Sequence, residues 1–167
     1  MTSLFVLGGA RSGKSRYAQM RAEQTGLDRI FIATAQAYDG EMEDRIAHHR
    51  DERGDGWHTV EVPLDLTAAI RDQEDGAVLL IDCLTLWTSN LLLAGHDALD
   101  AVPDLIEAIG EAAGPIILVS NEVGLGIVPD NALARRFRDM AGIVNQRVAA
   151  AVGEVQFLVS GLPLRVK

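Results

Sequence analysis

A glycine-rich segment near the amino terminus constrains the fold of this chain more than any other feature. Residues 8–15 match the pattern G-x-x-x-x-G-K-[ST]. An apolar run, residues 4–7, precedes the segment, and an amphipathic stretch follows from Lys14. In a strand-to-helix turn of this kind the backbone N–H groups and the helix N-terminus face phosphate groups. The predicted phosphate-binding loop consists of Gly8, Gly9, Ala10, Arg11, Ser12, Gly13, Lys14 and Ser15.

The rest of the chain alternates short apolar runs with longer amphipathic stretches, which is typical of parallel strands joined by helices. We predict buried strands at residues 4–7, 30–33, 77–81, 116–119 and 155–159, and two further short strands at 57–62 and 164–166. Apolar stripes of helical period predict helices at 14–24, 64–73, 84–93, 102–112 and 132–151. The expected fold is a three-layer α/β sandwich with a mostly parallel sheet, in a single domain over residues 1–167.

Composition excludes several classes of protein. A secreted module built on disulfides is excluded, because one cysteine cannot form an internal disulfide. The formal net charge of −9 repels nucleic acid, and the sequence has no basic stripe that would override it. No stretch approaches the ~20 apolar residues of a membrane span, and residues 4–7 lack the basic leader of a signal peptide. We therefore expect a cytoplasmic protein with no nucleic-acid partner and no membrane span.

Polar residues follow the predicted strands, at the edge where parallel sheets bind ligands. Asp82 follows the run 77–81, where a carboxylate on the magnesium side of a nucleotide site is expected. Ser15 and Asp82 are the predicted Mg²⁺ ligands, and Lys14 should contact the β- and γ-phosphates. An alternative role for Asp82 is the N-cap of the helix that begins at residue 84.

Two common classes of nucleotide-binding protein are disfavoured by missing motifs. Regulatory GTPases use N-K-x-D and D-x-x-G, whereas residues 121–124 read Asn-Glu-Val-Gly and residues 82–85 read Asp-Cys-Leu-Thr. The L-S-G-G-Q-like signature of transport ATPases is also missing. Small-molecule phosphoryl or nucleotidyl transfer is the class that remains.

A His-His pair in the charged segment 40–53 provides a candidate nucleophile. If the segment is helical, His49 shares a face with Met42 and Ile46, and His48 points about 100° away. His48 is then the better-exposed candidate, because a neutral imidazole can attack phosphorus. Arg45 or Arg50 could neutralise charge on the attacked phosphate. The alternative is a solvated helix face without covalent chemistry.

These motifs together resemble the bifunctional adenosylcobinamide kinase / adenosylcobinamide-phosphate guanylyltransferase family. The resemblance extends from residue 4 to residue 167 and is strongest at residues 8–15, 32–36, 45–50, 57–61, 121–129, 134–139 and 144–147. It implies a P-loop NTPase fold of the RecA-like type, a homotrimer, Mg²⁺, and GTP and ATP as substrates. It also implies adenosylcobinamide and adenosylcobinamide phosphate as the other substrates.

The resemblance assigns roles to individual residues. His48 corresponds to the histidine that becomes guanylylated, and Lys14 to the catalytic lysine of the phosphate-binding loop. Besides that loop, the positions that match nucleotide contacts are Thr34, Ala35, Gln36, His49, Arg50, Asp51, Glu52, Glu61 and Asp82. Two other interpretations stay open: a P-loop kinase of another small metabolite without a histidine intermediate, and a non-catalytic nucleotide-binding module.

Overall fold

The protein is described by a computed structural model over residues 3–36, 53–73 and 76–167. The described residues form seven strands and five helices, and every strand predicted from the sequence is present. The strands are β1 (Ser3–Gly8), β2 (Asp28–Ala33), β3 (Trp57–Glu61), β4 (Ala77–Asp82), β5 (Ile116–Asn121), β6 (Glu154–Val159) and β7 (Leu162–Arg165). The helices are α1 (Lys14–Glu23), α2 (Leu66–Arg71), α3 (Leu84–Leu93), α4 (Ala98–Glu111) and α5 (Ala132–Ala151).

One sheet joins all seven strands in the order β3-β2-β4-β5-β1-β6-β7. Every pairing among the first six strands is parallel, and β7 pairs antiparallel with β6. The sheet has an apolar cluster on each face: one includes Ala18 and Ala22 of α1, and the other includes residues of α2 to α5. The predicted three-layer, mostly parallel α/β sandwich is therefore confirmed.

Two helices differ in length from the prediction because of their caps. The helix predicted at 64–73 spans Leu66–Arg71, since the Asp65 carboxylate accepts a hydrogen bond from Ala68 N at 3.3 Å and starts the helix there. The helix predicted from residue 102 begins at Ala98, because Asp97 caps it and accepts from Leu99 N at 2.9 Å.

Pro103 lies inside α4 and removes the N–H that would bond to the Leu99 carbonyl. That carbonyl instead accepts a hydrogen bond from the Arg147 guanidinium of α5, at 3.1 Å. The helix therefore continues through the proline with its orphaned carbonyl satisfied by a neighbouring helix.

The segment 40–53, which contains the His-His pair, lies outside the described residues except for Arg53. Among the described helices, none is long and apolar enough to cross a membrane.

Candidate active site

The glycine-rich segment forms a tight loop between β1 and α1. β1 ends at Gly8, and Gly13 adopts a left-handed conformation with φ 88° immediately before α1. A Cβ on Gly8 would lie 2.4 Å from Ser12 Oγ and 2.9 Å from the Leu158 carbonyl oxygen. Glycine is therefore required at Gly8 by packing and at Gly13 by backbone conformation.

Contacts within the loop and from a neighbouring turn hold it in shape. Lys14 Nζ donates to the Gly9 carbonyl at 3.2 Å, so this side chain folds back over the loop. The Ser12 carbonyl accepts from Gly161 N at 2.9 Å, which fastens the loop to the turn between β6 and β7. The buried Ser12 Oγ has no hydrogen-bond partner among the described residues.

The end of β5 lies directly beside the loop. Glu122 N donates to the Gly8 carbonyl at 3.0 Å, and Asn121 is in register with Gly8. Thr85 Oγ1 accepts from Asn121 N at 2.7 Å, and Asn145 Nδ2 donates to the Asn121 carbonyl at 3.2 Å. Sequence reasoning assigned no role to Thr85 or Asn145, since a buried polar residue in a helix looks the same in sequence as an exposed one.

Asp82 lies at the end of β4, two strands away from β1. Neighbouring strands are about 4.8 Å apart, so the backbones of Asp82 and the loop are separated by about 10 Å across β5. The alternative role of Asp82 as N-cap of α3 is wrong: Cys83 is the N-cap, and its Sγ accepts from Leu86 N at 3.5 Å. The Asp82 carboxylate is therefore not used in capping.

The side chains predicted to hold Mg²⁺ have suitable chemistry. Ser15 and Asp82 supply hydroxyl and carboxylate oxygens, and both side chains are partly exposed. The described residues contain no group of three or more His, Cys, Asp or Glu that could hold a metal ion. Mg²⁺ typically takes one or two protein ligands and completes its shell with water and substrate phosphates.

Cys83 is too deeply buried to act as a nucleophile at this site. The residue is 6% exposed. Burial, together with the neighbouring Asp82 carboxylate, raises the pKa of its thiol to about 12. Since the reactive species of cysteine is the thiolate, the thiol is inert near neutral pH.

The remaining predicted contacts on described residues lie farther along the same sheet edge. Thr34, Ala35 and Gln36 follow β2 and Glu61 ends β3, which puts them about 14 Å and 19 Å from β1 by strand spacing. Glu61 and Asp82 are both in register with Ala33, one on each side of β2. A ligand that reaches from the loop to Glu61 would cross most of this edge.

The Thr34 side chain is fully buried and bonds to protein. Its Oγ1 donates to the Cys83 carbonyl at 2.7 Å and accepts from Cys83 N at 2.8 Å. The hydroxyl therefore fixes the backbone next to Asp82, and a direct contact of this side chain with nucleotide stays a prediction.

His48, His49, Arg50, Asp51 and Glu52 lie outside the described residues, so their roles stay predictions. The two described histidines are remote from the loop. His58 is near the amino-terminal end of β3, and His96 follows α3 at the end opposite to Asp82. Neither occupies the carboxyl edge of the sheet.

Known proteins match this chain over nearly its full length. The family model for cobinamide kinase / cobinamide phosphate guanyltransferase matches residues 4–166. The bifunctional adenosylcobalamin biosynthesis protein CobP of Pseudomonas aeruginosa is 52% identical, with 97% of this chain and 95% of that protein covered. The bifunctional adenosylcobalamin biosynthesis protein CobU of Escherichia coli K12 is 41% identical, with 98% and 99% covered.

Solved structures of lower identity share the fold. The ATPase of a bacterial type III secretion system is similar with a TM-score of 0.57 at 16% identity, over 93% of this chain and 50% of that one. Together with the loop between β1 and α1, this likeness identifies the fold as that of P-loop NTPases.

Proposed function

The chain belongs to the cobinamide kinase / cobinamide phosphate guanyltransferase family, and we propose that it catalyses both reactions of that name on adenosylcobinamide. The first reaction gives adenosylcobinamide phosphate. The second transfers GMP from GTP to that phosphate through a guanylyl–histidine intermediate and gives adenosylcobinamide-GDP. ATP and GTP are the nucleotide substrates.

The observation that carries this proposal is the loop at the carboxyl end of β1. Its close packing requires glycine at Gly8, its entry into α1 requires glycine at Gly13, and Lys14 lies across it. This geometry leaves backbone N–H groups, a helix N-terminus and one ammonium group to receive a triphosphate.

In the kinase step, the hydroxyl oxygen of the aminopropanol arm attacks the γ-phosphorus. A new O–P bond forms, the bond to the β–γ bridging oxygen breaks, the hydroxyl proton is released and the nucleoside diphosphate leaves. Lys14 stabilises the negative charge on the transferred phosphoryl oxygens. Ser15 and Asp82 would hold Mg²⁺, which when bound would neutralise further charge on the phosphates.

In the transferase step, a nitrogen of His48 attacks the α-phosphorus of GTP. The N–P bond forms as the bond between the α-phosphorus and the pyrophosphate oxygen breaks, and pyrophosphate leaves. An oxygen of adenosylcobinamide phosphate then displaces the histidine. Without the intermediate, one anion, adenosylcobinamide phosphate, would have to attack another, GTP. The histidine intermediate replaces this single displacement with two steps.

The described residues offer few other candidates for the nucleophile, which supports His48 in that role. The Cys83 thiol is buried and protonated, and the two described histidines lie away from the sheet edge that carries the loop. His48 and His49 are the two remaining histidines of the chain. The sequence pattern favours the first of them.

A product assay tests this function against its two rivals. The purified protein is incubated with Mg²⁺, GTP, ATP and adenosylcobinamide. The corrinoid products are separated by chromatography and identified by mass spectrometry. We expect adenosylcobinamide phosphate followed by adenosylcobinamide-GDP. Phosphorylation of a different alcohol with no corrinoid product would favour another kinase, and nucleotide binding with no turnover would favour a binding module. The expected trimer is checked separately by light scattering.

A further inference from the structure

A buried amide in α3 connects the ends of two strands that carry predicted nucleotide contacts. Asn90 is 5% exposed and lies among apolar residues such as Trp87 and Leu91. A buried amide is unfavourable unless it is hydrogen-bonded, and asparagine is a poor residue for a helix interior. The presence of asparagine at this buried helical position therefore needs a specific explanation.

Asn90 Nδ2 makes two hydrogen bonds that leave its own helix. It donates to the Thr34 carbonyl at 2.8 Å and to the Pro63 carbonyl at 3.0 Å. Thr34 is the first residue after β2, and Pro63 follows β3 by two residues. We call the last residue of a strand and the residues directly after it the exit of that strand. One side chain of α3 therefore bonds to the exits of two neighbouring strands, β2 and β3.

Thr34 extends this connection to a third strand. Its Oγ1 bonds both the N–H and the carbonyl of Cys83, directly after Asp82. The series Pro63, Asn90, Thr34 and Cys83 thus spans the exits of β3, β2 and β4. Those exits carry Glu61, the segment 34–36 and Asp82, which are the nucleotide contacts predicted outside the loop on described residues.

We propose that Asn90 is a positioning residue of the nucleotide site, which sets the mutual placement of the segment after β2, Glu61 and the Asp82 carboxylate. This rests on the proposed function, in which those groups contact Mg²⁺-nucleotide. Asn90 acts through Thr34 and Pro63 and needs no contact with substrate. Loss of its two bonds lets the strand exits move, and displacements of about 1 Å can cost about a hundredfold in activity.

The same helix provides a matched control. Thr88 is fully buried, and its Oγ1 donates to Leu84 O at 2.8 Å within α3. Thr88→Val removes one buried hydrogen bond without touching a strand exit. Asn90→Leu removes the amide, keeps the number and branching of the side-chain heavy atoms and releases both exits.

The test measures the Kd of a fluorescent GTP analogue with Mg²⁺, and the KM for GTP, in wild type, Asn90→Leu and Thr88→Val. Unfolding is followed in parallel. A variant that is only less stable has fewer active molecules and a lower apparent kcat, with Kd and KM of the folded molecules unchanged. We expect Asn90→Leu to raise Kd and KM about tenfold or more, and Thr88→Val to leave both near wild type. Equal Kd and KM in the two variants would overturn the positioning role.

A second variant covers the case in which Asn90→Leu does not fold. Asn90→Ala removes the same two hydrogen bonds with a smaller side chain. We expect a raised Kd in Asn90→Ala relative to wild type and Thr88→Val, whereas a wild-type Kd in Asn90→Ala would contradict the proposal. Failure of the proposed function would instead appear in the wild type, which would bind Mg²⁺-GTP and yield no corrinoid product. The positioning role is then judged on Kd alone.

Discussion

Gly8 and Gly9 are adjacent in the chain but have different surroundings. A Cβ on Gly8 would collide with Ser12 Oγ and the Leu158 carbonyl, and a Cβ on Gly9 would meet nothing within 4 Å. Overpacking of this kind costs about 1–3 kcal/mol, because backbone must shift to relieve it. We expect Gly8→Ala to lower the free energy of unfolding by about 2 kcal/mol and Gly9→Ala to leave it unchanged, as measured by urea denaturation. Equal stabilities for the two variants would show that the loop is not packed as described.

Cys83 provides a test of the buried surroundings of Asp82. Because burial raises the pKa of its thiol to about 12, very little thiolate forms at the pH values used for alkylation. We expect iodoacetamide to leave the native protein unmodified near neutral pH and to modify it once in denaturant, as measured by intact-protein mass. The single cysteine makes the result unambiguous. Rapid alkylation of native protein would mean that the end of β4 is open to solvent.

The helix that follows the phosphate-binding loop is anchored to the sheet by an ion pair. Arg21 of α1 donates to both carboxylate oxygens of Glu154 on β6, at 2.8 and 2.9 Å. The hydrogen bonds from Arg21 lower the pKa of the Glu154 carboxyl from 4.5 to about 2. Because α1 begins at Lys14, this pair also holds the base of the nucleotide site.

The depressed pKa fixes the direction of the pH dependence. The contribution of Glu154 to stability is fully present above its unfolded pKa of 4.5 and is lost as the pH falls through about 2. We expect Glu154→Gln to lower the free energy of unfolding by about 1–2 kcal/mol at neutral pH, and the difference from wild type to shrink below pH 4.5. The measurement is urea denaturation across pH. Glu107→Gln, which breaks an exposed pair with Arg71, is the control and should leave stability unchanged. A difference that did not depend on pH would argue against the ion pair.

At the level of elements, local sequence predicted most of the secondary structure because strands and helices here differ clearly in apolar period. The predicted start of α4 at residue 102 was wrong. Proline is favoured in the first turn of a helix, but the hydrogen bond from Arg147 allows Pro103 to lie deeper in this one. Contacts between distant segments of this kind leave no local signal. The strand order β3-β2-β4-β5-β1-β6-β7 likewise depends on long-range pairing and was not predicted.

For the whole molecule, the sequence predicted which side chains share one edge of the sheet but not how they are held there. Residues after parallel strands converge in any such fold, so the loop, Thr34 and Asp82 could be placed at the carboxyl edge, whereas Glu61 was predicted only from the family resemblance. The supporting residues Thr85, Asn90 and Asn145 come from helices, where a buried polar residue looks the same in sequence as an exposed one. Their identification required the hydrogen bonds of the folded chain.

The proposed reaction joins the described loop to a histidine that only the sequence identifies. Both parts are needed for one chemical event, the transfer of GMP from GTP to the side chain of residue 48. The protein is incubated with Mg²⁺ and GTP labelled at the α- or the γ-phosphate, denatured, and assayed for label that stays with the polypeptide. We predict an acid-labile, base-stable adduct from the α-label alone, which is lost in His48→Ala and kept in His49→Ala. Absence of an α-label adduct in the wild type, or its persistence in His48→Ala, would contradict the account.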